Sequence, residues 1–254
     1  MILAVDIGNT NITLGAYEGD RLRAHWRIAT AHERMPDEYG ILLLQLMAHR
    51  GLRPDDIGGV VVGSVVPVLT GVFQEVSHEY LGHDPLIVTA GVRTGVRIRY
   101  ENPREVGADR VADCVAVQHK YGGPACVVDF GTATTFDAIS REGDYLGGAI
   151  APGIGIAAEA LFAKASKLYR VELTPPPKVI GTNTAQAMQS GIFFGYVALV
   201  EGLVERFREV LGEDMKVIAT GGLAPRVARE TAVIEHVDPW LTLDGLRIIY
   251  MLNR

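Results

Sequence analysis

Apolar residues recur along the chain in two rhythms. Short apolar runs bounded by Gly, Pro and acidic residues read as strands, and stretches with apolar positions three and four apart read as helices. Ile2–Ile7, Asn11–Tyr17 and Arg21–Ile28 are three strands, joined by tight turns at Gly8-Asn9 and Glu18-Gly19-Asp20. Asp37 to Arg50 predicts a helix through Ile41, Leu42, Leu44, Leu46 and Met47, with Gly51 as its stop. Val60-Val61-Val62 is a buried strand ending at Gly63-Ser64, Pro67 to Leu81 a helix with Pro in its first turn, and Pro85 to Thr89 a further strand. The first domain therefore reads βββαβαβ. Arg93 to Arg110 clusters charge, Gly and Pro, which predicts a loop leading into a helix from about Arg104 to His119. Tyr121-Gly122-Gly123-Pro124 breaks the pattern and marks the expected domain boundary.

From Ala125 the pattern starts again. Two strands flank the turn after Phe130, and a third runs through Tyr145–Ile150. Gly147 to Gly155 is followed by a helix to about Lys167, then by the proline-stiffened loop Leu173 to Lys178. Thr182-Asn183-Thr184 reads as the N-cap of a long helix through Leu211, in which Gly191, Gly195 and Gly202 predict close packing or a break. Lys216–Thr220 is a strand, Gly221 to Pro225 a turn, Arg226–Glu230 the start of a helix, and Asp244 to Leu252 a closing amphipathic helix. Two α/β domains are expected, 1-121 and 122-254, each opening with a three-stranded β-hairpin unit.

The two halves share more than rhythm. Asp6-Ile7-Gly8 returns as Asp129-Phe130-Gly131 in the same strand–turn–strand context, and Glu18-Gly19-Asp20 returns as Glu142-Gly143-Asp144. A long repeat present twice points to domain duplication rather than a solenoid. The residue types suit a polyphosphate. Glycine lets backbone approach a ligand, while Thr hydroxyls and backbone N–H groups donate to phosphate oxygens. A carboxylate such as Asp129 would repel phosphate, so its natural role is to hold a bridging cation. The same stretch also fits a plain tight hairpin with a polar turn.

Composition narrows the class. The chain has 254 residues, 48% hydrophobic and 21% charged, enough for one large or two medium domains. A net charge of −6 speaks against a nucleic-acid partner. Cys114 and Cys126 lie in apolar segments with no metal spacing and read as reduced core residues. No signal peptide is evident and no uncharged run is long enough to span a bilayer, so a soluble, cytoplasmic protein without a membrane partner is expected.

Four polar clusters fall at strand ends: Asp6 to Thr13, Gly107 to Arg110, Asp129 to Asp137, and Thr220-Gly221-Gly222. Ligands of α/β sheets bind at the carboxyl ends of strands, so all four are expected to meet in one interdomain cleft. The two hairpins would hold phosphates and the late glycine turn an adenosine. Asp109 is the candidate general base, since a kinase needs positioning, charge neutralisation and an acceptor for the hydroxyl proton. Arg110 beside it would orient an anionic substrate; the pair also reads as a helix cap. Gly153-Ile154-Gly155-Ile156-Ala157-Ala158 fits the loose dinucleotide pattern, with Glu172 near the acidic position, which makes a dehydrogenase the formal rival. The P-loop, H-E-x-x-H and G-x-S-x-G motifs do not occur.

Two acidic-glycine hairpins resemble the actin/hexokinase/heat-shock ATPase superfamily, which implies two duplicated ribonuclease-H-like (actin-like ATPase) domains. Together with Gly107-Ala108-Asp109-Arg110 and Gly147-Gly148-Ala149-Ile150-Ala151-Pro152-Gly153, the whole chain resembles the type III pantothenate kinases. That resemblance implies ATP-dependent phosphorylation of pantothenate, the first step of coenzyme A synthesis, by a cytoplasmic homodimer. It implies Mg2+ with the ATP and a monovalent cation, potassium or ammonium. It places Asp6, Ile7, Gly8, Asn9, Thr10, Asn11, Ile12, Thr13 and Thr132 on ATP, and Asp109 as proton acceptor. It places Tyr100, Gly107, Ala108, Asp109, Arg110 and Thr184 on pantothenate, and Asp129 on the monovalent cation. A nucleotide-binding regulator of the same fold, or a kinase for another small alcohol, are the alternatives.

Overall fold

The protein is described from a computed structural model, over residues 1–165 and 168–254. It divides into two compact units, residues 1–120 with 240–254, and residues 121–239. In the first, β1 (Ile2–Ile7), β2 (Asn11–Glu18) and β3 (Arg21–Ala29) form an antiparallel meander. Helix α1 (Pro36–His49) leads to β4 (Val60–Ser64), which runs parallel to β1, and α2 (Pro67–Leu81) leads to the short β5 (Leu86–Ile87). The sheet order is β3-β2-β1-β4-β5. A 3-10 turn at Pro103–Glu105 precedes α3 (Ala108–Lys120).

The second unit repeats this topology. It contains the meander β6 (Ala125–Phe130), β7 (Ala133–Ile139) and β8 (Tyr145–Pro152). There follow α4 (Ile154–Lys164), α5 (Thr184–Leu211), β9 (Lys216–Gly221), α6 (Ala224–Val227) and β10 (His236–Val237). Its sheet order, β8-β7-β6-β9-β10, matches the first unit strand for strand, with β9 parallel to β6.

In the first unit the alternation of β1 sends Leu3, Val5 and Ile7 to one face, where Ile12, Leu14, Tyr39, Leu43, Leu69 and Phe73 complete a core beneath α1 and α2. Ile2 and Ala4 point to the other face, against Val111, Ala112 and Val115 of α3. The chain's last helix, α7 (Leu241–Leu252), lies in that same layer through Leu243, Leu246 and Ile249. Tyr17 Oη donates to Asp244 Oδ1 at 2.6 Å, and Lys120 pairs with Asp244 Oδ2 at 2.6 Å. This corrects the expectation that the second domain runs to residue 254. Amphipathic spacing establishes that one helix face is buried but not which sheet buries it.

Other boundaries shift for local reasons. The helix expected from Arg104 starts at Ala108, because the turn at Pro103–Glu105 and the following Gly107 interrupt it. The helix expected to reach about Lys167 ends at Lys164, and Lys167 itself lies outside the described residues. Strand β10, too short to show periodicity, was not expected. Helix α5 runs unbroken through Gly191, Gly195 and Gly202, and nothing described lies within 4 Å of where their Cβ atoms would be. Asn183 caps it, its side chain accepting from the Gln186 N–H at 2.9 Å.

Contact between α3 and α7 is backbone-close: a Cβ added at Gly245 would stand 1.9 Å from the Ala112 carbonyl oxygen. Gly245→Ala must push the helices apart, and is expected to destabilise the fold by about 1–3 kcal/mol in urea unfolding.

Candidate active site

At the carboxyl end of the first sheet, β1 and β4 finish level. Asp6 pairs with Gly63 and Ile7 with Ser64, and the Val65 N–H donates to the Ile7 carbonyl at 3.0 Å. The β1–β2 turn is tight: the Gly8 N–H donates to the Asn11 carbonyl at 3.0 Å. Thr30, just past β3, clasps it from the side. Its Oγ1 donates to the Gly8 carbonyl at 2.6 Å and its N–H to the Thr10 carbonyl at 3.0 Å. Thr30 was missed in the sequence, since nothing in the pattern marks a threonine at a strand end as a tether. Asn9, Thr10 and Asn11 are exposed, while Asp6, Gly8 and Thr13 are partly open. Ile7 and Ile12 are fully buried in the core, so only their backbone groups can meet a ligand.

Asp109 stands in the first turn of α3, beside the end of β4. Its Oδ1 accepts the Arg110 backbone N–H at 2.8 Å, one of the donors left free at a helix start. The carboxyl folds back over Gly107: a Cβ there would be 2.3 Å from Asp109 Oδ1 and 3.2 Å from Val65 Cγ1. Burial pushes the Asp109 carboxyl above its ordinary range, against the lowering effect of the Arg110 N–H and charge. Ala108 and Arg110 are largely buried, Arg110 at 9% exposure, so the Arg110 side chain lies mostly within the fold. Tyr100, 38% exposed, sits in the preceding loop of this unit.

In the second unit Asp129 lies between Thr135 on β7 and the buried Thr220 on β9. Gly221 has φ +88°, and a Cβ there would meet Asp129 Oδ1 at 2.5 Å and the Phe130 carbonyl oxygen at 2.6 Å. A carboxylate and a carbonyl thus converge on a position that only glycine leaves open. Among the described residues no cluster of three metal-binding side chains exists. One carboxylate and one carbonyl fall short of the multi-oxygen cage of a dedicated divalent-cation site. Thr132 is exposed at the turn, its carbonyl accepting the Gly153 N–H at 3.2 Å. Behind the turn, Tyr196 of α5 is hydrogen-bonded to the buried Thr134, and burial together with the Asp129 charge raises its phenol well above the ordinary value. Tyr196 is a second residue that sequence reading missed, because on a helix it looks like packing.

A cavity of about 930 Å³ opens beside this turn, between α4 and α5, lined by Ile154, Leu161, Met188, Gly195 and Leu199, with Thr184 at the helix start. The dinucleotide reading of Gly153 to Ala158 fails on topology: the strand before it, β8, pairs only with β7 and antiparallel, whereas that motif needs a parallel βαβ unit.

A family model described as type III pantothenate kinase matches residues 2–206. The type III pantothenate kinases of Moorella thermoacetica and Roseiflexus castenholzii are 56% identical over 253 residues and 55% identical over 254, in each case covering 100% of both chains. A solved structure of (R)-2-hydroxyglutaryl-CoA dehydratase component A from Acidaminococcus fermentans aligns with TM-score 0.58 at 13% identity, covering 98% of this chain and 96% of that one. The inorganic polyphosphate/ATP-glucomannokinase of Arthrobacter sp. strain KM aligns with TM-score 0.52 at 15% identity, covering 100% and 99%. These structural likenesses show the actin-like ATPase fold, and the full-length sequence identities go further: the chain belongs to the type III pantothenate kinase family.

Proposed function

We infer that the chain transfers the γ-phosphoryl group of ATP to the hydroxyl of pantothenate, giving 4'-phosphopantothenate, the first step of coenzyme A biosynthesis. The observation that carries this reading is identity of 56% across the whole of both chains with a type III pantothenate kinase. The geometry of Asp109 supports it. With Oδ1 held by the Arg110 N–H, Oδ2 is left to accept the hydroxyl proton as the pantothenate oxygen attacks phosphorus and ADP departs. A carboxyl raised above its usual range is a stronger base while ionised at neutral pH.

The β1–β2 turn offers backbone N–H groups and the Thr10 and Thr13 hydroxyls to the phosphates, and Thr132 does so from the second unit. Asp6 would hold the Mg2+ that accompanies ATP, which would neutralise phosphate charge. Asp129, with the Phe130 carbonyl beside it, would hold the monovalent cation. Gly221-Gly222 gives bare backbone for the adenosine. Our candidates for pantothenate are Tyr100, Gly107, Ala108, Asp109 and Arg110 on the first unit, and Thr184 on the second. Coenzyme A synthesis draws on cytosolic ATP, which places the activity in the cytoplasm. Helix α5 is long and apolar enough to cross a membrane by length and composition, but Phe193, Val197, Val200 and Val204 bury one side of it in the second unit's core. Away from the α4–α5 cavity, α5 exposes the uncharged Ala198 and Gly202, where we propose that a second copy of the chain packs.

The deciding assay is ADP release from ATP and magnesium, with and without pantothenate, in potassium against sodium. Turnover should require pantothenate and potassium, and Asp109→Asn should lower kcat about 10²–10⁴-fold. ATP binding without pantothenate-dependent turnover would overturn the assignment in favour of a regulator. The same variant has a stability signature. Because folding raises the Asp109 pKa, its charge costs stability above that pKa, and the cost vanishes as pH falls and the group protonates. Asp109→Asn should therefore melt higher than wild type at neutral pH, with the gap closing in acid. Gly107→Ala should displace the carboxyl while sparing the fold, lowering kcat about 10–100-fold at nearly unchanged Tm. Sedimentation should give a two-protomer mass that Gly202→Glu reduces to one.

A further inference from the structure

Strand register lines up four positions across the first sheet. Gly63 of β4 pairs with Asp6 of β1, Asp6 with Thr13 of β2, and Thr13 with Arg27 of β3. Residues paired across strands project to one face, so Asp6, Thr13 and Arg27 share a side of the sheet. It is the side on which α3 begins, since a Cβ at Gly63 would be 3.6 Å from Ala108 Cβ. With strands about 4.8 Å apart, the Arg27 backbone lies roughly 10 Å from that of Asp6, within reach of an arginine bound to the same polyphosphate. Asp109 thus stands over one end of this row, Asp6 and Thr13 occupy its middle, and Arg27 closes the other end.

The row needs such a cation. ATP brings several negative charges to a turn whose residues from Asp6 to Thr13 include an acid and no base. Arg110, the basic residue beside Asp109, is mostly inside the fold. Arg27 is exposed, and among the described residues it has no ion-pair partner. Its neighbour along the strand, Arg23, is already paired with Glu18 at 2.9 Å. Thr30 ties the end of β3 to the turn, so Arg27 is held in register with the turn it would serve. Arg50 adds positive charge nearby: after partial burial, it and Arg27 hold His25 below its ordinary pKa.

We propose that Arg27 binds the phosphate chain of ATP on the first unit, an addition to the site that rests on the Asp6–Thr13 turn being the nucleotide turn. Guanidinium is suited to this, since its fork of donors matches phosphate oxygens and it stays charged at any working pH. The competing account is that Arg27 is one of several basic residues that keep an edge strand from pairing with another chain, a job Arg21 and Arg23 do equally well.

Calorimetric titration with a non-hydrolysable ATP analogue and magnesium, on wild type, Arg27→Gln, Arg27→Lys and Arg23→Gln, separates the two. Loss of a charge-assisted bond worth about 1.5–3 kcal/mol should weaken the analogue roughly 10–100-fold in Arg27→Gln, with partial recovery in Arg27→Lys and none of the loss in Arg23→Gln. The KM for ATP should rise in parallel while the KM for pantothenate and the Tm hold, because the side chain is exposed. An analogue affinity within twofold of wild type in Arg27→Gln, an equal loss in Arg23→Gln, or a shift confined to the pantothenate KM would each overturn the proposal. A wild-type chain that fails to bind the analogue would instead overturn the nucleotide turn itself.

Discussion

The parallel pairing of each hairpin's first strand with a later strand of the same sheet sets where Asp6 and Asp129 stand. Side chains on a strand alternate, so a slip of one residue between β1 and β4 would turn the Asp6 face of β1 toward α1 and α2 and Val5 toward the open end. The register is secured by burial on both sides of β1, which a parallel strand at the centre of a sheet requires. The same pairing recurs between β6 and β9, where it sets Asp129 beside Thr220. Each aspartate is therefore placed by the apolar residues around it.

Much of this was legible in the residues, and the parts that were not have identifiable causes. The meanders and α2 follow from alternation and from strong punctuation by Gly and Pro, with α2 matching its expected span of Pro67–Leu81. The duplicated Asp-x-Gly turns marked the domain duplication, which the matching sheet orders of the two units bear out. Periodicity could not say that α7 joins the first sheet, since partner choice is a long-range matter of shape between Gly245 and Ala112. Nor could it show that Ile7 and Ile12 offer only backbone, that Thr30 tethers the turn, or that Tyr196 reaches Thr134, because each depends on where neighbouring strands and helices come to rest.

Asp109 illustrates a conflict between folding and chemistry. A helix start favours a carboxylate, and the Arg110 N–H satisfies one of its oxygens. Burial works the other way and leaves the charged form less comfortable than it would be in water. On the proposed role of Asp109 as proton acceptor, a fully satisfied carboxylate would be the weaker base, which gives a reason for a locally unfavourable group to be kept there. Gly107 belongs to the same compromise: by lacking a side chain it makes room for the carboxyl to turn back over the backbone.

The first unit is discontinuous in sequence, residues 1–120 being completed by 240–254, whereas residues 121–239 are contiguous. Synthesis runs from the N-terminus, so the two units cannot mature in the order in which they are made. The second unit holds all of its strands within residues 121–239. The first must wait with Ile2, Ala4, Val61 and the apolar side of α3 uncovered until α7 arrives. A chain lacking those last residues would carry the Asp6 turn on a sheet with one apolar face exposed, a state that chaperones and proteases recognise. Helix α7 contributes no candidate residue to the chemistry, yet the second apolar face of the first sheet is covered only with it in place.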